Sequence, residues 1–554
     1  MALAAARVKS RTLPLVILMV IAAGFLALGV AEARADAPTF DEPVYVSAGL
    51  AAVLHHDVTL NDEHPPLLKV LAVVPVLFAH PVVPADGRWN TNDELSYAAR
   101  FTSAQLAAGK LASVTFAARL VPLAETAAVA FVVFAVASEL AGPVAGMLGG
   151  MLWLASPLVL GIGHLDGTDV PFALGVTLSC LAMLRWLRSR SGAALTWLGL
   201  ALAVAAETQV TGLLVVASGL AVIVITEWRS GVISAFARAG TAGLIVWAVV
   251  WAVYLALDPA MFSQLPLVVP RPYLDGIRYL NGHDTSGTTV FITGITYTGG
   301  RWWYWPLSLV IKWPGPALLL LVAGTVGCLR LPSAARRRAG LAIALPAVLI
   351  TAFTLAQPKD VGVRYLLPVI ALWAAAAAGG LVTVLGAGRG ARRGRLAVTA
   401  VAVLAAAAVA STATSFPGSI AWTAWPFRPG YAMVTDSNVD WGQGFYALRS
   451  WSAGKHPWVA YFGPRGITTA DIPGARSLLG AAPGQVRGWV AVSVTALNSA
   501  NRSSLGWLRG WCPVELLDET ILIYRFSQPP AMTTARPPPP GPAPLCPGQR
   551  NSAR

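Results

Sequence analysis

Long apolar runs separated by short polar gaps dominate this chain. They fall at residues 13–30, 117–140, 142–161, 170–187, 194–208, 210–226, 239–258, 306–329, 340–357, 363–386 and 396–413. Most approach the ~20 residues that a helix needs to cross a bilayer. The runs are continuous rather than alternating, which excludes a membrane β-barrel. The pattern predicts an α-helical polytopic membrane protein with about eleven transmembrane helices. Arg7, Lys9 and Arg11 precede the first run, and AEARADA follows it, as in a signal peptide. The large membrane domain behind it favours an uncleaved first helix. The stretch 65–83 is also apolar, but Lys69 and its prolines predict a helix lying in the outer interface.

Composition supports this reading. Of 554 residues, 56% are hydrophobic and 12% charged, about half the ~25% charge of soluble domains. That excludes a single soluble domain, a disordered chain and a coiled coil. The net charge of +14 would suit nucleic acid, but the arginines sit in short gaps. Arg185, Arg188 and Arg190; Arg229 and Arg238; Arg330 and Arg336–Arg338; and Arg389, Arg392, Arg393 and Arg395 all fall on one side of an eleven-helix topology. The positive-inside rule makes that side cytoplasmic, so no nucleic acid is invoked. The predicted place is the plasma membrane, with a cytoplasmic N-terminus and an external C-terminal region. Residues 1–413 form the membrane domain, with outer loops at 31–116 and 259–305. Residues 414–528 read as an external α/β domain, from the strand-like WVAYFG, GWVAVSV and ETILIYRF. Residues 529–554 read as a proline-rich disordered tail. Of four cysteines, Cys180 and Cys328 lie in apolar runs; Cys512 and Cys546 could pair if exported, but Cys546 sits in the proline-rich tail.

Acidic residues are few, so their positions carry information. Asp41 and Glu42 follow the first run in TFDEPVYVSAGL, and Asp166 and Asp169 occupy the short outer turn of GIGHLDGTDVPF. Both pairs also suit helix capping, with Thr168 and Asp169 before Pro171 as the clearest cap. Two carboxylate groups on one membrane face nonetheless line a candidate cavity. His64 lies in NDEHPPLLK. Lys312, in WWYWPLSLVIKWPGP, sits below an aromatic belt, while Arg119 and Arg364 begin helices on the outer side. Cations at that depth suit a lipid phosphate. Asp41, Glu42 and His64 are the residues that would hold a divalent cation if one is used, although no ligand spacing compels it.

FDE after the first helix, HPPLLK, a TD pair opening a later helix, WWYW with K-W-P, GVRYLLP and TDSNVDWGQ occur here in order. Together they resemble the GT-C membrane glycosyltransferases, and more closely the bacterial members of family 39, relatives of the protein O-mannosyltransferases and the aminoarabinose transferase. The resemblance spans about residues 12–528. It implies a GT-C fold and a polyprenyl-phosphate sugar donor. It also implies an outward-facing site and inversion at the anomeric carbon, onto a hydroxyl of a protein, lipid or glycan acceptor. By position it implies Asp41 as general base, with Asp169 beside it and Glu42 adjoining. It places Lys312 and Arg364 near the donor phosphate and matches His64 to the histidine of the HPP motif; Arg119 joins them as a phosphate candidate from its own position at the start of a helix. Gln209 departs from the pattern, since many relatives have lysine before a similar TGLL. A transporter or flippase of a lipid-linked sugar would explain the helices too. It predicts internal repeats and midplane carboxylates, and the sequence shows neither.

Overall fold

The computed structural model describes residues 2–85, 93–265, 268–283, 287–387 and 392–530. Among them, eight helices are long and apolar enough to cross a membrane, from Thr12–Ala35 to Arg392–Ala413. The run at 142–161 adds a ninth as a bent pair, Pro143–Leu154 and Pro157–Gly163, angled by 68°. Ser156 is extended there (φ −139°, ψ 120°) because Pro157 disfavours the helical region for its predecessor. The run at 194–208 is a shorter helix, Gly192–Ala206. The run at 306–329 is divided. Tyr304–Lys312 ends one residue before the extended Trp313–Pro314, and Gly315–Gly327 follows. Proline again supplies the break, since it has no N–H for the helical ladder.

Two spans occupy the bundle interior. Asp169–Ser189 and Val363–Ala387 are the most enclosed of the eight, with 78% and 56% of their apolar windows buried, against 17% for Arg392–Ala413. Small residues bring Gly315–Gly327 and Leu367–Ala387 into backbone contact. A Cβ on Gly324 would lie 2.2 Å from the Ala377 carbonyl oxygen, the close approach that membrane helices use where lipid offers no hydrophobic drive.

The loop after the first span folds into Glu42–His55, Leu67–Phe78 and Glu94–Ala107. Leu67–Phe78, at 12 residues, is too short to span, in line with the interfacial expectation. The segment after Leu257 holds the helix Arg271–His283 and a hairpin of β1 (Thr289–Ile292) and β2 (Ile295–Thr298). The C-terminal region builds a five-stranded mixed sheet. Its strands are β3 (Trp458–Ala460), β4 (Arg476–Ser477), β5 (Gly488–Ser493), β6 (Glu515–Leu517) and β7 (Ile521–Phe526), in the order β4-β3-β5-β7-β6. The three strand-like runs became β3, β5 and β7. β4 and β6 are too short to show alternation. Val459, Ala491, Ile521 and Ile523 face the helix Phe445–Ser452. Val490, Val492, Leu522 and Tyr524 face the main core on the other side, as the two-residue period of a strand requires. Cys546 and the tail from 531 lie outside the described residues.

Candidate active site

Asp41 and Asp169 each precede or open a helix, but neither caps one. Asp41 stands at the N-cap of Glu42–His55, and its side chain accepts no capping bond. Thr168, at the N-cap of Asp169–Ser189, also makes no capping bond with its side chain. Its Oγ1 accepts instead from Gln209 Nε2 at 2.7 Å. Both aspartates turn to one guanidinium. Arg364 Nη1 donates to Asp169 Oδ2 at 2.8 Å and Nη2 to Asp41 Oδ2 at 3.4 Å. The Asp41 side chain is 27% exposed, against 4% for Asp169 and 7% for Arg364. Asp41 is thus the member of the cluster that a reactant can reach.

Burial pushes the Asp41 carboxyl up to about 6, opposed by Arg364 and reinforced by the nearby Glu63 and Asp169 charges. A base of that strength is ionised at neutral pH and still able to take a proton. His64 borders the cluster. Its Nε2 lies 3.1 Å from Glu63 Oε1, its ring meets Tyr45 edge-on at 5.8 Å, and its buried Nδ1 has no hydrogen-bond partner.

Glu42 points elsewhere. Arg119 Nε and Nη2 donate to its two oxygens at 2.8 and 2.7 Å. Thr39 N and Asp166 N also donate to it, at 2.7 and 3.0 Å. These bonds hold the Glu42 carboxyl below its usual range against the effect of burial. Glu42 therefore ties the loop after the first span to the start of Leu120–Ala141 and to the turn before Asp169–Ser189. Its two oxygens are engaged by Arg119, Thr39 and Asp166 rather than by the Arg364 cluster around Asp41. Among the described residues, no three His, Cys, Asp or Glu side chains are placed to hold a metal ion.

Counting N–H donors separates the four expected phosphate ligands. Arginine has five, and Arg119 uses all of them. Besides the two to Glu42, it donates to the carbonyls of Ala33, Asp36 and Ala37 at 2.8–3.0 Å. Lysine has three, and Lys312, fully buried, donates them to the carbonyls of Ile420, Trp422 and Asn438. Neither has a donor left for a phosphate. Arg364 donates one further bond, from Nε to Ser437 Oγ at 3.3 Å. Three of its five N–H groups are then engaged, so Arg364 keeps donors to offer.

Asp166, the alternative to Asp169, is buried next to Glu42, and its Oδ2 has no hydrogen-bond partner. It does not reach Arg364. Sequence reasoning passed over Glu63, Tyr45 and Tyr365, and singled out Trp441 without a role. Glu63 adjoins the HPP histidine and Tyr365 adjoins Arg364 in GVRYLLP, so both lay within recognised motifs. Trp441 lies in TDSNVDWGQ, whose role could not be read without its partner.

Residues 105–254 match the family model described as dolichyl-phosphate-mannose-protein mannosyltransferase. That segment contains Arg119 and Asp169. It bears out over its length the likeness to membrane glycosyltransferases read from the motifs. No curated protein sequence matches the chain. Among solved structures, apo ArnT from Cupriavidus metallidurans is 16% identical with a TM-score of 0.47, over 72% of this chain and 65% of that one. The chain thus spans just under two thirds of that protein. The same ArnT bound to undecaprenyl phosphate gives 16% and 0.46, over 75% and 67%. The oligosaccharyltransferase AglB from Archaeoglobus fulgidus, in complex with an inhibitory peptide and a dolichol-phosphate, gives 10% and 0.41, over 89% and 72%. At these scores the likenesses assign no residue, and the site stands on its own geometry.

Proposed function

We propose that this protein is a membrane glycosyltransferase. It moves a sugar from a polyprenyl-phosphate donor to an acceptor hydroxyl at the outer face, with inversion. The observation that carries this reading is the convergence of Asp41, Asp169 and Arg364 at the ends of separate helices. One partly exposed carboxylate there meets a guanidinium that has donors to spare. The match to a family of lipid-phosphate mannosyltransferases over residues 105–254 supports the donor class.

In the proposed step the acceptor oxygen attacks the anomeric carbon as the bond to the phosphate oxygen breaks. The polyprenyl phosphate leaves as an anion and needs no general acid. Arg364 stabilises its growing charge. Asp41 takes the hydroxyl proton, and Asp169 keeps Arg364 in place between the two carboxylates. No divalent cation enters this account.

The full chain in lipid vesicles, given radiolabelled polyprenyl-phosphate sugars and an envelope fraction from a deletion host, should transfer label. Asp41→Asn should reduce turnover by ~10²-fold or more, the scale of a lost general base, with the protein still folded. Near-normal transfer by Asp41→Asn removes it from the mechanism. Absence of transfer from every lipid-phosphate sugar by the native chain overturns the reading.

A further inference from the structure

The segment TDSNVDWGQ, residues 435–443, has no place in the chemistry above, yet it touches both halves of the cluster. The Trp441 ring lies beneath the Arg364 guanidinium, 4.2 Å from its centroid. Ser437 Oγ accepts from Arg364 Nε and donates to the Val361 carbonyl. Asn438 Oδ1 accepts from Val363 N at 3.0 Å, and its Nδ2 donates to Tyr304 Oη at 2.8 Å. On the other side, the carbonyls of Trp441 and Gln443 accept from Phe40 N at 3.0 Å and Ala37 N at 2.9 Å. Those amides lie in the loop that ends at Asp41. The fit is close. Gly362 has φ +151°, and a Cβ there would lie 2.0 Å from Ser437 Oγ.

We propose that Trp441, with Ser437, is a positioning residue, through which the C-terminal external region holds Arg364 between Asp41 and Asp169. Two carboxylates fix the ends of the guanidinium but not its plane. An arginine side chain has several rotatable bonds to restrain. An indole face restrains the plane, because guanidinium stacks on aromatic rings. The Ser437 bond fixes the third edge. The same segment anchors the Asp41 loop through backbone bonds, so one element sets the distance between base and cation. The site is then complete only when the external region is docked. The proposal rests on the reading of Arg364 as a site residue, and only its kinetic arm needs glycosyl transfer.

The test is modification of the full-length protein by the arginine reagent phenylglyoxal, read at single sites by peptide mass spectrometry. Arg364 should be protected in the native chain. Trp441→Leu should raise its modification rate by about tenfold, in keeping with loss of a desolvated cation–π contact. Ser437→Ala should raise it less, and Trp441→Phe should keep most of the protection. Arg525, exposed on β7 and stacked on Trp489, should react equally in all four proteins and reports on the fold of the sheet. In transfer assays, Trp441→Leu should lower kcat by about tenfold and Trp441→Phe should restore most of it. Equal Arg364 reactivity in the native chain, Trp441→Leu and Ser437→Ala overturns the proposal. So does a rise that Arg525 shares, because that marks general loosening. A native chain inactive on every lipid-phosphate sugar, with Arg364 exposed only by loss of Trp441 or Ser437, overturns the proposed function and sustains this one.

Discussion

Replacing Lys312 by methionine distinguishes a lysine that holds the fold from one that holds a phosphate. The side chain keeps its length and loses its ammonium. The carbonyls of Ile420, Trp422 and Asn438 then lose a charged donor in a buried setting. An unsatisfied buried carbonyl costs about 1–3 kcal/mol. The Trp422 bond is half-buried, so water can replace it, while the other two are enclosed. The net loss is then about 2–6 kcal/mol, less whatever is regained because no ammonium has to be desolvated. Segment 420–438 should be released first, since Lys312 pins it at three points. The assay pairs thermal unfolding and limited proteolysis in detergent with a donor titration at saturating acceptor. Lys312→Met should melt several degrees lower and be cut earlier between 414 and 440. Its apparent donor constant, per folded molecule, should match the native one. A donor constant raised tenfold at an unchanged melting temperature would refute the structural role and return Lys312 to the phosphate.

Arg119→Met should be among the most destabilising single changes. It leaves Glu42 charged and buried, a loss of about 3–5 kcal/mol visible as reduced yield and melting temperature rather than a changed donor constant. The pH dependence follows from Asp41, whose carboxyl is raised from 3.8 to about 6. As a base it works only when ionised, so kcat should rise with pH through about 6 and level off above it; a flat profile from pH 4.5 to 8 would exclude it. The same shift has the opposite sign for stability. A carboxyl raised on folding favours the native state below its unfolded pKa, and that advantage is lost as pH rises through about 6. Asp41→Asn should therefore melt at or above the native temperature at pH 8, whereas a clear loss of stability there would show that the charge holds the fold. Gly362→Ala forces a side chain into left-handed backbone against Ser437, and should expose Arg364 to modification as Trp441→Leu does.

Hydropathy is a local property, so the apolar runs could be located without any tertiary information. Trp313–Pro314 shows where that stops. The run at 306–329 is apolar throughout, but proline breaks its helix immediately after Lys312. The short β4 and β6 were invisible because two or three residues show no period. Within the site, Asp41, Asp169 and Arg364 were legible because charges are scarce in this chain and stand in motifs.

What each charge does was not legible, because hydrogen-bond partners come from distant parts of the chain. Arg119 meets Glu42 across 77 positions. Lys312 meets Asn438 across 126. Arg364 meets Asp169 across 195 and Asp41 across 323. By itself the sequence determined a helical membrane protein and a short set of charged candidates. Only the tertiary structure decided which cations already spend every N–H on carbonyls and carboxylates. It also decided that Glu42 braces the loops while Asp41 stays reachable. A buried donor must find an acceptor, and which acceptor lies near is settled when the helices pack.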